Sequence, residues 1–168
     1  FKEALLSIEF WCLFFIFFGG TGAAYMTINQ LTQINVALGG TAADKALAVV
    51  FVGLSNCLGR IVLGNIQDFT GRCGLTRPAL CVFVMFLMGT GQLILADATS
   101  PQDVVVGVGF TAFAFGSTWC LIGPTTSDIV GKKAFGKIFS SVSMAAMGST
   151  VVFNSLIAGP NYQAELSK

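Results

Sequence analysis

Residues 53–78 read GLSNCLGRIVLGNIQDFTGRCGLTRP, and in this stretch a long apolar segment runs into a short polar one. Gly64, Asp68, Gly71 and Arg72 follow one another in the order G-x-x-x-D-x-x-G-R. Glycine permits tight turns, and a carboxylate and a guanidinium four residues apart can form a charge-assisted pair. The pattern predicts that a membrane-spanning helix ends here and that these four residues belong to the loop that follows it.

The composition of the whole chain favours a membrane protein. Hydrophobic residues make up 54% of it and charged residues 10%, whereas about a quarter of the residues in soluble domains are charged. The 20 glycines are typical of helices that pack closely in lipid. A net charge of +1 argues against a nucleic-acid partner. We therefore expect an all-α fold, namely a polytopic transmembrane helix bundle that is embedded in a lipid bilayer as its partner.

Apolar segments predict about five membrane spans, each close to or above the roughly 20 residues that a bilayer core requires. The third predicted span is almost wholly aliphatic and aromatic, which suggests a lipid-facing helix, with Val84 and Leu87 on its lipid face. The fourth is rich in glycine and small polar residues, which suggests a pore-facing helix. Three glycines in the middle of the first span, Gly19, Gly20 and Gly22, predict a bend. The five spans lie at about residues 5–33, 46–66, 79–96, 104–124 and 138–156.

Basic residues predict the orientation of these spans. Most of them fall on one side of the five-span arrangement, which the positive-inside rule assigns to the cytoplasm. The other side carries the acidic residues Asp44, Asp97, Asp103 and Glu165. The predicted cytoplasmic side carries Lys2, Arg60, Arg72, Arg77, Lys132, Lys133 and Lys137.

Two polar features lie inside the predicted spans. Thr21, Tyr25, Asn29 and Gln33 recur every fourth residue and form a stripe on the first span. This stripe can serve hydrogen bonding between helices or can form one wall of an aqueous cavity. Arg60 is the one charge clearly inside a predicted span. Its side chain can extend to the headgroups, or it can face protein and hold an anion or a carboxylate.

Residues for catalysis or metal binding are missing from the sequence. There is no histidine, and the five cysteines show no C-x-x-C spacing. No pair of acidic residues lies within a predicted span. We therefore expect no catalytic residues, no metal site and no cofactor, and we interpret the chain as a protein that is not an enzyme. The first residue is Phe1, and we expect the chain to be part of a longer protein.

The stretch 53–78 and its flanking motifs resemble the nodulin-like branch of the major facilitator superfamily of transporters. The resemblance covers nearly the whole chain and corresponds to helices seven to eleven. Asp128 departs from the family pattern, in which glutamate is usual, and Pro124 falls later than expected. The resemblance is carried by Phe10-Trp11, Gly20-Thr21-Gly22, Ser55-Asn56, Leu58-Gly59-Arg60, Arg77-Pro78, Trp119, Ser127-Asp128, Gly131, Gly148-Ser149 and Tyr162.

This resemblance implies a partial major-facilitator-type half that works by alternating access. It also implies a gating role for the loop that contains Gly64, Asp68, Gly71 and Arg72. The resembling fold has two six-helix halves, so the implied partners are an N-terminal half and a last helix, from the same or another chain. The implied function is transport of a small-molecule solute, with organic anions among the candidates. The alternative is an accessory membrane subunit of a larger complex, without transport activity. The expected cavity-lining residues are Thr21, Tyr25, Asn29, Gln33, Arg60, Thr111 and Trp119.

Overall fold

The structure is a computed structural model, and it describes residues 7–74 and 76–159. Helix α1 spans Ile8–Ala37, α2 spans Ala42–Cys73, and α3 spans Arg77–Ala96. A further helical stretch, Pro101–Thr150, follows, and it continues as the π-helical segment Val151–Ala158. The described residues contain no β-strand. The prediction of an all-α fold is confirmed.

The long helical stretch is interrupted at Gly131. Its φ of 70° and ψ of 166° are not helical, and glycine adopts a positive φ without steric cost. The break separates helix α4, Pro101–Gly131, from helix α5, residues 132–150. The predicted spans 104–124 and 138–156 imply a loop between them. In the structure this part of the chain is helical on both sides of Gly131, which is the one residue where the helix breaks.

Side chains at the helix ends explain where α2 and α4 begin. The Thr41 hydroxyl accepts a hydrogen bond from the Asp44 amide, and the Asp44 carboxylate accepts one from the Thr41 amide. Ser100 and Asp103 form the same reciprocal pair at the start of α4. Each pair satisfies amide groups that the first helical turn leaves without partners. Both helices therefore start at sites that the local sequence specifies.

The predicted turn within residues 64–72 is wrong, because α2 continues through it to Cys73. The chain reverses a few residues later, where Gly74 has a φ of 70°. Gly64 instead supports packing, since a Cβ atom there would lie 3.2 Å from the Cys120 Sγ. Asp68 is an exposed helical residue. The side chain of Arg72 lies outside the described part of the structure, so the gating role of these residues stays a prediction.

Four helices of the described residues are long and apolar enough to cross a membrane. They contain 20 to 31 residues each, compared with the roughly 20 that a bilayer core requires. They fit a multi-pass integral membrane protein. Their bounds are Ile8–Ala37, Ala42–Phe69, Arg77–Ala96 and Pro101–Gly131.

The described residues form two compact units, residues 27–121 and residues 7–26 with 122–159. The larger unit has a core where α1, α2 and α4 meet, at Leu31, Ala48 and Val104. Helix α4 is the most enclosed, with 67% of its most apolar stretch buried, compared with 17% for α2. The small residues of α4 therefore support close packing within the described chain, whereas the sequence suggested a pore-facing helix.

Helix α3 has one buried and one exposed face. Phe86 is 73% exposed and suits a lipid-facing position, whereas Val84 is 0% exposed. Leu87 is half-buried. The placement of Val84 on a lipid face was wrong, because an aliphatic composition does not distinguish burial in protein from exposure to lipid.

In the smaller unit, the first part of α1 packs against α5 and the π-helical segment that follows it. The Thr21 and Ser149 hydroxyls share a hydrogen bond of 3.0 Å. A Cβ atom at Gly22 would lie only 2.5 Å from the Phe153 ring, so glycine is needed for this contact. Helix α1 is uninterrupted from Ile8 to Ala37. Gly22 therefore supports packing without breaking the helix, whereas a Cβ atom at Gly19 would have no neighbour within 4 Å.

Candidate functional site

Helix α2 carries a face of small and polar residues, which we call the polar face of α2. It consists of Gly53, Asn56, Cys57, Arg60 and Gly64. Apart from the adjacent residues Asn56 and Cys57, successive members are three or four residues apart. Residues at these spacings lie on the same side of a helix. Gly53, Cys57 and Arg60 are exposed, and Asn56 and Gly64 are half-buried. This face is therefore accessible in the described chain.

Arg60 lies deep within the span Ala42–Phe69. At 1.5 Å per residue it is about 27 Å from the first residue of the span and about 14 Å from the last. Its Nε donates a hydrogen bond of 3.1 Å to the Asn56 Oδ1. Asn56 lies at the middle of the span, so this bond directs the guanidinium towards the middle of the helix and away from Phe69, the nearer end of the span. Extension towards the headgroups at Phe69 would require the opposite direction.

A neighbouring face of α2 has the opposite character. Leu54 and Leu58 are large, exposed hydrophobic residues, and they lie at the same depth as Asn56 and Cys57. Such residues suit contact with lipid chains. One helix therefore presents an apolar and a polar face at the same depth. Arg60 was among the predicted cavity-lining residues, whereas Asn56 was not. The spacing of four residues between Asn56 and Arg60 could have revealed the pair.

The stripe predicted on α1 is not uniform. Thr21 is buried, and its hydroxyl donates to the Phe17 carbonyl and bonds Ser149. Tyr25 is half-buried, while Asn29 and Gln33 are exposed. A step of four residues advances about 40° beyond one full turn, so the stripe winds around the helix. Thr21 therefore fits the interpretation as interhelical hydrogen bonding, whereas Asn29 and Gln33 remain accessible.

Two other candidate cavity residues lie inside the bundle. Thr111 is fully buried, and its hydroxyl accepts a hydrogen bond from the Gln92 amide at 3.3 Å. The same amide donates to the Thr27 hydroxyl at 2.9 Å. Trp119 is half-buried and meets Phe115 edge to face. Gln92 therefore links α1, α3 and α4 through side-chain hydrogen bonds.

We expect Gln92→Leu to lower the free energy of unfolding by about 1–3 kcal/mol, because it leaves two buried hydroxyls without this partner. Thermal unfolding of the purified protein in detergent would measure the change. Thr90→Val is the matched control, since the Thr90 hydroxyl bonds the Phe86 carbonyl of its own helix. Equal effects of the two substitutions would show that the network contributes nothing beyond local bonding.

Metal binding finds no support in the described residues, which contain no group of three or more His, Cys, Asp or Glu side chains placed to hold an ion.

Comparison of the chain with protein-family models, with curated proteins and with solved structures finds no match.

Proposed function

We propose that this chain is part of a membrane transporter that moves a small anionic solute by alternating access. The observation that carries the proposal is the hydrogen-bonded pair of the exposed Arg60 and the half-buried Asn56, well inside a helix that is long and apolar enough to cross a membrane. In this proposal the polar face of α2 forms one wall of an aqueous pathway. Arg60 provides the positive charge that attracts the solute.

The cost of charge in lipid supports a wet environment for Arg60. A charged side chain at the centre of a bilayer costs several kcal/mol, and such residues usually face a water-filled cavity or another polar group. Arginine keeps its charge at any accessible pH. Its Nε donates to Asn56, so the terminal nitrogens are the donors that a carboxylate or a phosphate would bind.

The resemblance of residues 53–78 to the nodulin-like major facilitators supports the same proposal. In that family a second six-helix half faces the first across a central cavity. We propose that this half comes from the same or another chain and forms the opposite wall of the pathway. Asp68, one helical turn beyond Gly64, would then lie near the end of the pathway, where a gating role fits.

An accessory membrane subunit is the alternative function. The accessible polar face of α2 is equally compatible with this function and with transport, because Arg60 could pair with a carboxylate of a neighbouring subunit. The close glycine contacts in the bundle serve either role. The two functions differ in one property, which is whether solute crosses the membrane.

Reconstitution of the full-length gene product in liposomes tests the proposal. Uptake of radiolabelled organic and inorganic anions would be compared with uptake by protein-free liposomes and with that of neutral solutes of similar size. We expect saturable uptake of at least one anion. Absence of uptake for every solute, with correctly folded protein present, would favour the accessory subunit.

A further inference from the structure

An apolar groove opens on the larger unit, apart from the polar face of α2. It has a volume of about 860 Å³ and lies between α2, α3 and α4. Most of its lining residues are hydrophobic, with Ser55 and Gln102 as the polar members, and they come from all three helices. The hydrophobic ones include Val62 and Ile66 of α2, Phe83 and Leu87 of α3, and Phe110 and Phe113 of α4.

The groove is open to the surroundings along the membrane-spanning segments. Ile66, Phe83 and Phe110 are all exposed, although each lies within a helix that is long and apolar enough to cross a bilayer. A polar solute would gain no hydrogen bonds from these side chains, whereas a hydrocarbon chain would bury apolar surface against them. The chemistry of the groove therefore fits a lipid acyl chain.

Charge distinguishes the two ends of the groove. Ile66 and Phe83 mark the end at which α2 stops and α3 starts. Arg77 is the first residue of α3, six residues or about 9 Å before Phe83. In the sequence, the residues that flank this end, Asp68, Arg72 and Arg77, have a net charge of +1, whereas those that flank the opposite end, Asp44, Lys45, Asp97 and Asp103, have a net charge of −2.

We infer that the groove binds an acyl chain of an anionic phospholipid whose headgroup lies at the end occupied by Arg77. The positive end attracts the phosphate, and the chain extends from there between α2 and α3 over α4. The site is independent of the proposed transport function, because it lies on the apolar side of α2.

Photocrosslinking of the full-length protein in nanodiscs tests this inference. The probes are phosphatidylglycerol and phosphatidylcholine, each with a photoactivatable group in the middle of one acyl chain. Mass spectrometry would locate the labelled peptides. We expect labelling of the segments around Phe83 and Phe110 that is several-fold stronger with phosphatidylglycerol. Equal labelling by the two lipids would overturn the anionic preference, and absence of label from these segments would show that a protein segment covers the groove.

Matched variants separate filling of the groove from general disturbance. Gly109 lines the groove, and a Cβ atom there would meet only the Ser55 Oγ, at 3.6 Å. Gly109→Leu should therefore fill the groove and remove most of the label. Gly89→Leu is the control, because a Cβ at Gly89 has no neighbour within 4 Å and Gly89 lies outside the groove. Unchanged labelling of Gly109→Leu would overturn the inference. If that variant fails to fold, Val106→Phe, at an exposed lining residue, replaces it with the same expected loss.

The charge is tested by Arg77→Gln, with Lys45→Gln at the opposite end as the control. We expect Arg77→Gln to lower phosphatidylglycerol labelling to the level of phosphatidylcholine and Lys45→Gln to leave it unchanged. An unchanged preference in Arg77→Gln would contradict the assigned position of the headgroup.

Discussion

Replacing Gly59 or Gly116 by alanine is expected to destabilise the unit of residues 27–121 by about 1–3 kcal/mol for each substitution, the usual cost of overpacking. A Cβ atom at Gly59 would lie against the Phe113 carbonyl oxygen, and one at Gly116 against the Asn56 carbonyl oxygen. The contact is reciprocal, since each glycine meets the carbonyl three residues before the other. Backbone cannot rotate away as a flexible side chain can, so α2 and α4 would have to separate.

Thermal unfolding in detergent and the yield of folded protein would measure this destabilisation. Gly53→Ala, on the same helix, is the matched control, because nothing lies within 4 Å of a Cβ atom at Gly53. Alanine favours helix over glycine by up to about 1 kcal/mol, so Gly53→Ala should be neutral or stabilising. If Gly59→Ala and Gly53→Ala unfold alike, the close crossing of α2 and α4 is incorrect.

Removing the charge of Arg60 is expected to lower anion uptake by about 10- to 100-fold. A hydrogen bond to a charged group contributes roughly 1.5–3 kcal/mol, and Arg60→Gln would remove this contribution from solute binding. Arg60→Lys keeps the charge but loses the planar donor geometry, so its uptake should lie between that of Arg60→Gln and that of the unaltered protein. Initial rates in liposomes, normalised to the amount of reconstituted protein, would measure the effect.

Asn65→Ala provides the control for general disturbance of α2. The Asn65 amide donates to the Ile61 carbonyl of the same helix, so its loss should leave uptake close to that of the unaltered protein. Uptake that persists at the normal rate in Arg60→Gln would exclude Arg60 from the solute pathway.

Much of the fold could be predicted from the sequence, because long apolar segments have few alternatives in a membrane. The third span was predicted at 79–96 and is observed at Arg77–Ala96. The first was predicted at 5–33, and its helix continues to Ala37. Thr41 and Asp44, which define the start of α2, have the spacing of a capping box, and this signal was available from the sequence.

The end of α2 was harder to predict, because the effect of glycine depends on its surroundings. Gly64 is helical and packs near Cys120, whereas Gly74 ends the helix in a left-handed conformation. The local sequence does not distinguish these roles, since tertiary contacts decide them. The same limit applies to Thr111, whose hydroxyl suggested a cavity but bonds Gln92 within the bundle.

Accessibility of Cys57 to water tests the proposed pathway most directly. Cys57 is a native, exposed residue on the polar face of α2, and Leu58 is its exposed neighbour on the apolar face. The full-length protein, with its other cysteines replaced by serine, would be treated in membranes with a membrane-impermeant thiol reagent. A second protein would carry Cys57→Ser and Leu58→Cys. We expect rapid labelling at residue 57 and little at residue 58, with transported anion changing the rate at residue 57. Equal labelling at the two positions, or none at residue 57, would contradict an aqueous pathway along this face.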